Sequence, residues 1–166
     1  MTDVVDAKTR SRMMSGIKGR DTKPEVALRR ALHALGFRYR LYSAKLPGRP
    51  DMVFPMYRAV VFVHGCFWHR HRGCRYTTTP ATNTGFWMAK FAATMTRDER
   101  IVGALVSLGW RVATVWECSL KEAGAAEIAL DVAAWLRSDQ HLLELPSGLE
   151  TAIRTDTADK TGVKTG

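Results

Sequence analysis

The sequence predicts an α/β protein, with helices packed around a mixed β-sheet. Three observations carry that prediction. Short apolar runs rich in valine and phenylalanine alternate with longer segments of helical period. Residues that start and stop helices bracket those longer segments. With 46% hydrophobic residues, a chain of 166 can bury one core.

The first 20 residues carry Lys8, Arg10, Arg12, Lys18 and Arg20 around Met13 and Met14, and read as a basic arm containing a short helix. A single folded domain is expected over residues 21–146. It opens with TKPE, residues 22–25, where Thr22 can cap, a proline sits in the first turn and Glu25 can complete a capping box. Leu28, Ala31, Leu32 and Leu35 supply the apolar stripe, and Gly36 ends the helix. Three strands should follow, at residues 37–42, 50–54 and 59–64. The third, AVVFVH, is apolar almost throughout, as a central strand covered on both faces must be. After a loop rich in threonine and proline, a long helix is expected from Gly85 to Leu108, then a strand at 111–117 and a last helix at 126–137. Residues 147–166 have few large apolar groups and are expected to be a disordered tail.

The formal charge is +9. After residue 149, Arg154, Lys160 and Lys164 are balanced by Glu150, Asp156 and Asp159, so the excess lies in the folded body. A compact basic domain most often meets phosphate, usually nucleic acid; charge kept for solubility is the competing explanation. No apolar run approaches the roughly 20 residues of a membrane span. MTDVVDAKTRSR has no apolar signal core, so a soluble cytoplasmic protein without membrane partners is expected.

HGCFWHRHRGC, residues 64–74, holds three of the five histidines and two of the three cysteines. Cys66, His71 and Cys74, joined by Cys118 beyond the fourth strand, make a Cys3His set suited to a closed, tetrahedral, structural Zn²⁺. The competing reading is two buried cysteines and a surface histidine. His64 closes an apolar strand, where histidine is ordinarily structural. His69 stands in a loop the metal would fix, and imidazole, with an ordinary pKa near ~6.5, is suited to general-base work.

Two carboxylates could face it. Asp51 opens the second strand after Pro50, a place where an acid is commonly just solvated. Asp98 shares a helix stripe with Phe91 and Leu105, each seven residues away, and its neighbours Arg97 and Arg100 are not at the three- or four-residue spacing of a helical ion pair.

These residues resemble a known pattern. TRSRMM (9–14), RDTKPE (20–25), LPGRPD (46–51), FVHGCFWHRH (62–71), GFW (85–87) and GWRVATVWEC (109–118) together resemble the very-short-patch-repair (Vsr) endonucleases, a branch of the PD-(D/E)xK nucleases. The third strand ends in Phe62-Val63-His64 where many of the wider superfamily carry (D/E)-x-K, as is usual for this branch. One residue more than usual stands between His71 and Cys74.

The resemblance implies a three-layer α/β/α restriction-endonuclease-like core with a mixed central sheet and a structural zinc site. It implies that Asp51 and the main-chain carbonyl of Val63 bind catalytic Mg²⁺ and that His69 takes a proton from water. Glu25, His64 and Asp98 would hold the waters of that site and orient the base. Cys66, His71, Cys74 and Cys118 would bind Zn²⁺. Phe67 and Trp68 would wedge into the DNA stack, with Trp87 stacking beside them and Met14 reaching from the other groove. The implied activity is nicking of duplex DNA 5′ to the thymine of a T:G mismatch, by a monomer acting on the bacterial nucleoid, with mismatch-repair proteins as candidate partners.

Some positions admit two readings. The capping box accounts for Glu25 without catalysis, and a side chain that serves the metal's water is expected to cap poorly. Aromatics such as Phe67 and Trp68 ordinarily belong to a core, although here they stand between Cys66 and His69. A zinc-stabilised DNA-binding module without catalysis fits the composition equally well. A zinc deaminase would need H-x-E and P-C-x-x-C, and the chain has neither.

Overall fold

The computed structural model describes residues 6–15 and 19–147. Six α-helices and five strands are present among them: α1 (Ala7–Ser15), α2 (Lys23–Ala34), β1 (Arg40–Leu41), β2 (Met52–Phe54), β3 (Ala59–His64), α3 (Cys66–His69), α4 (Thr84–Ser107), β4 (Arg111–Trp116), α5 (Glu117–Glu122), α6 (Ala125–Leu136) and β5 (Leu142–Leu145). The strands form one mixed sheet in the order β1-β2-β3-β4-β5. β1, β2 and β3 pair antiparallel; β3, β4 and β5 pair parallel.

Side chains that alternate along the strands feed two cores. Met52, Phe54, Val61, Ala113 and Val115 point to one face and pack with Leu28 and Leu32 of α2, Leu120 of α5 and Ile128, Val132 and Leu136 of α6. Val53, Val60, Phe62 and Val112 point to the other and meet Leu105 and Ile101 of α4. Helices therefore cover both faces, and β3 has to be apolar in every position from Ala59 to Phe62. Each fully buried large side chain contributes roughly 1.5–3 kcal/mol through removal from water.

The expected elements differ from the observed ones at the edges. FRYRLY forms only the two-residue β1, because residues 37–39 leave the sheet and Phe37 and Tyr39 pack on Phe54 instead. Three elements were not anticipated: α3, one turn long; α5, which follows β4 without a break; and β5, an edge strand with two of four residues exposed. Among the described residues no helix is long and apolar enough to cross a membrane. Residues 148–166 of the anticipated tail, with 1–5 and 16–18 of the arm, lie outside the described residues.

Candidate active site and metal centre

Register decides where the chemistry gathers. In the parallel ladder His64 faces Trp116. Cys66 and Cys118 each follow two residues later, so both thiols are delivered to the same sheet end. β2 runs antiparallel to β3 with Met52 opposite Val61, which brings Asp51 to that end also.

The turn α3 then sorts HGCFWHRHRGC. Successive helical side chains rotate by about 100°, which swings Phe67 and Trp68 away from Cys66 and His69. Cys66 is fully buried, beside Cys118 and Trp116. Arg70, at φ +58, ends the turn; its guanidinium bonds the carbonyls of Phe67 and Thr78 and lies 3.9 Å from the centre of the Phe91 ring. Thr77 Oγ1 donates its one proton to the His71 carbonyl at 2.8 Å, with the Cys66 carbonyl 3.2 Å away, tying the loop down.

The donor atoms of Cys66, His71, Cys74 and Cys118 all lie within 4.8 Å of one another. His71 Nδ1 is 3.4 Å from Cys118 Sγ and 3.8 Å from Cys66 Sγ. A tetrahedron with Zn–S near 2.3 Å and Zn–N near 2.0 Å has N···S edges of about 3.5 Å, so the set fits zinc in spacing as well as in donor chemistry. Gly73, at φ +71, turns the chain back just before Cys74. Burial pushes the Cys66 thiol up to about 12 and raises that of Cys118, while it lowers His71. Cations at the centre would reverse the cysteine shifts, since thiolates are the ligating form. Trp116 stacks on His71 at 4.4 Å and donates through Nε1 to Glu144 of β5 at 2.7 Å.

The second cluster lines a cleft of about 620 Å³. His69 Nδ1 is 2.6 Å from Asp98 Oδ2 on α4, and the His64 ring stacks on His69 at 3.8 Å. Burial raises Asp98, but the bond and charge of His69 outweigh it and leave the carboxyl below its usual range. An ionised Asp98 must accept from Nδ1–H, which leaves Nε2 as the proton-accepting nitrogen of His69. Burial, with the neighbouring charge of His69 adding, drives His64 down to about 3. It therefore stacks on His69 as a neutral ring. Asp98 touches Arg97 only at 3.9 Å, so the histidine is its main partner.

Asp51 accepts from the Val63 main-chain N–H at 2.7 Å. Burial pushes its carboxyl up to about 7; that hydrogen bond pulls against the shift, and the charge of Glu25 adds to it. A carboxylate that resists ionisation beside a second one is the electrostatic setting a divalent cation relieves, and one or two carboxylates are the usual protein share of a Mg²⁺ site.

Glu25 is 3% exposed. The capping box read from TKPE is formed: Glu25 Oε2 accepts from Thr22 N–H at 3.4 Å, while Oε1 meets Tyr42 and Arg29. A carboxylate has enough lone pairs for both.

Phe67 and Trp68 are half-buried and meet edge to face at 5.1 Å. Trp87 is 7% exposed, beneath Phe67, Trp68, Phe86 and Phe91, so it braces the aromatic pair instead of offering its own face. Met14 belongs to α1, and its side chain lies outside the described residues. Sequence reasoning passed over the cleft's rim, where Arg20, Arg49, Arg97 and Arg100 surround the acids, and over Tyr42. Arg20 and Arg49 stood within quoted motifs, but nothing in the linear order of the chain says that these four converge.

Arginines around a carboxylate-bound imidazole suit a polyanionic diester, and the class of protein so defined is a nuclease. Comparison with known proteins narrows the class. Residues 2–75 match the family described as DNA mismatch endonuclease Vsr. The chain is 48% identical over 121 residues to the DNA mismatch endonuclease Vsr of Escherichia coli, covering 73% of this chain and 77% of that one. It is 46% identical over 130 residues to the type II nicking enzyme V.XorIIP of Xanthomonas oryzae pv. oryzae, covering 78% and 95%. A third relative, the type II nicking enzyme V.NmeAIP of Neisseria meningitidis, is 42% identical over 121 residues, 73% and 86% of the two chains. The chain belongs to the Vsr family of DNA mismatch endonucleases.

Proposed function

We propose that this protein is a Mg²⁺-dependent endonuclease that nicks duplex DNA 5′ to the thymine of a T:G mismatch, leaving 5′-phosphate and 3′-hydroxyl, and so initiates very short patch repair of deaminated 5-methylcytosine. The observation that carries the reading is the His69–Asp98 pair at 2.6 Å, set beside Asp51 in an arginine-rimmed cleft. A DNA-binding module without catalysis has no use for that convergence.

The geometry supports a role for each residue. Asp98 holds His69 in one tautomer, and His69 Nε2 takes the proton of the attacking water. His64 keeps the ring flat from behind. Asp51, with the Val63 carbonyl, would hold Mg²⁺, which neutralises charge developing on the phosphate. Val63 meets Asp51 through its N–H, leaving the carbonyl for that purpose. Glu25 orders water on the far side, and the four arginines grip flanking phosphates. Cys66, His71, Cys74 and Cys118 would hold Zn²⁺ for structure alone, with no position left open.

Phe67 and Trp68, braced by Trp87, form the wedge; unstacking costs least at a mismatched step. Met14 in the arm, residues 1–20, approaches the other groove. The sheet with helices on both faces is read as a restriction-endonuclease-like core spanning residues 21–146, acting as a monomer in the bacterial cytoplasm, with mismatch-repair proteins as candidate partners. The names of the nicking-enzyme relatives support cutting of one strand.

A nicking assay on a T:G duplex tests the reading. His69→Ala should lose about 10²–10⁴-fold in rate, and Asp51→Ala should lose its Mg²⁺ response. Undiminished cutting by either variant would remove the mechanism.

A further inference from the structure

Tyr42 holds a backbone conformation that tyrosine avoids. It follows β1 at φ +48, in the left-handed region where a side chain crowds its own backbone. Bulky residues kept there cluster at functional sites. Here the conformation puts Tyr42 in the lining of the cleft that holds Asp51, His69 and Asp98.

Its hydroxyl accepts from the Asp21 main-chain N–H at 2.9 Å. It also stands against two carboxylates, Glu25 in a very short contact and Asp21 at 3.1 Å. A phenol has one proton to donate. The contact with Glu25 is the closer of the two, so the proton goes to Glu25. Arg20 and Arg29 stand 5.0 and 5.9 Å from the ring centre, which keeps the ring from swinging away. Burial, with the Glu25 contact adding, holds the phenol far above its usual range, so it remains a donor throughout the working pH range.

We infer that Tyr42 is a positioning residue that fixes the Glu25 carboxylate for its service to the Asp51 metal site and ties that carboxylate to the arm junction at Arg20 and Asp21. This rests on the function proposed above. Without the hydroxyl, Glu25 keeps, among the described residues, its long capping bond and the 3.6 Å contact with Arg29, and its carboxylate can turn.

The test uses the full-length, zinc-loaded chain carrying Tyr42→Phe, which retains the ring and its arginine neighbours. Mn²⁺ binding is read by electron paramagnetic resonance, Mg²⁺ dependence by nicking of a T:G duplex, and duplex affinity in Ca²⁺. Tyr42→Phe should weaken Mn²⁺ binding and raise the half-saturating Mg²⁺ concentration about tenfold, leaving duplex affinity unchanged. Tyr42→Phe combined with Glu25→Gln should be no worse than Glu25→Gln alone. Effects that multiply, or wild-type Mn²⁺ binding by Tyr42→Phe while Asp51→Ala is inactive, would overturn this inference alone. Full nicking by Asp51→Ala overturns the proposed function and this inference with it.

Discussion

Two clusters share one sheet end and one eleven-residue stretch, yet they are built on opposite terms. The sulfur-rich cluster is closed: Cys66 and Cys118 are buried, its four donors face each other, and it contains no carboxylate. The cleft cluster is open, hard and asymmetric, with a carboxylate-bound histidine, a reluctant Asp51 and a rim of arginines. Soft donors that satisfy one another suit a staple, whereas hard donors facing solvent suit a site that must admit a diester. They interleave along the chain, with Cys66 and His71 turned to Cys118 and His64 and His69 turned to Asp98.

The largest effect expected from breaking this contrast is at the staple. Cys118→Ser should destabilise the fold by more than about 4 kcal/mol, as loss of a structural metal does, with zinc content falling from one per chain. Denaturant melts and metal analysis read both. Asp98→Asn should leave the melt nearly unchanged but lower nicking on the order of 10²-fold or more, since the amide no longer fixes the His69 tautomer.

A smaller effect separates the clusters by pH. Asp51 has a folded pKa of about 7 against an ordinary 3.8, so the folded state binds more protons between those values. Its contribution is therefore unfavourable above pH 7, and the penalty fades as pH falls toward 4. Without added Mg²⁺, Asp51→Asn should melt above wild type at pH 8, and the gap should close by pH 4. A constant gap across that range would contradict the burial assigned to Asp51. The smallest effect belongs to the rim: Arg100→Ala should weaken duplex binding uniformly across sequences and lower the salt slope by about 1, as measured by titration at several salt concentrations.

Much of this was legible before the fold was known. α2, β3, α4, β4 and α6 are long or strongly periodic, and Thr22, Gly36 and Gly109 mark their ends. β5 was not, because LLEL is short, half exposed and takes its order from β4 alone. The grouping of Cys66, His71, Cys74 and Cys118 could be read from spacing and resemblance. The His64–His69 stack, which needs α3 to fold back on the end of β3, and the Glu25–Tyr42 contact, which joins α2 to the residue after β1, could not. Trp87 stands in a quoted motif as a stacking candidate, and its 7% exposure beneath Phe67 and Trp68 is a packing fact that the linear sequence does not carry.

The distribution of the sulfur ligands along the chain sets an order of assembly. Three of the four donors lie within residues 66–74, but Cys118 arrives only after α4 and β4. The cage can close only once β4 has zipped onto β3, so a chain still emerging from the ribosome holds three donors and an unfixed α3. Pairing of β3 with β4 and completion of the donor set are therefore a single event in the assembly of the fold.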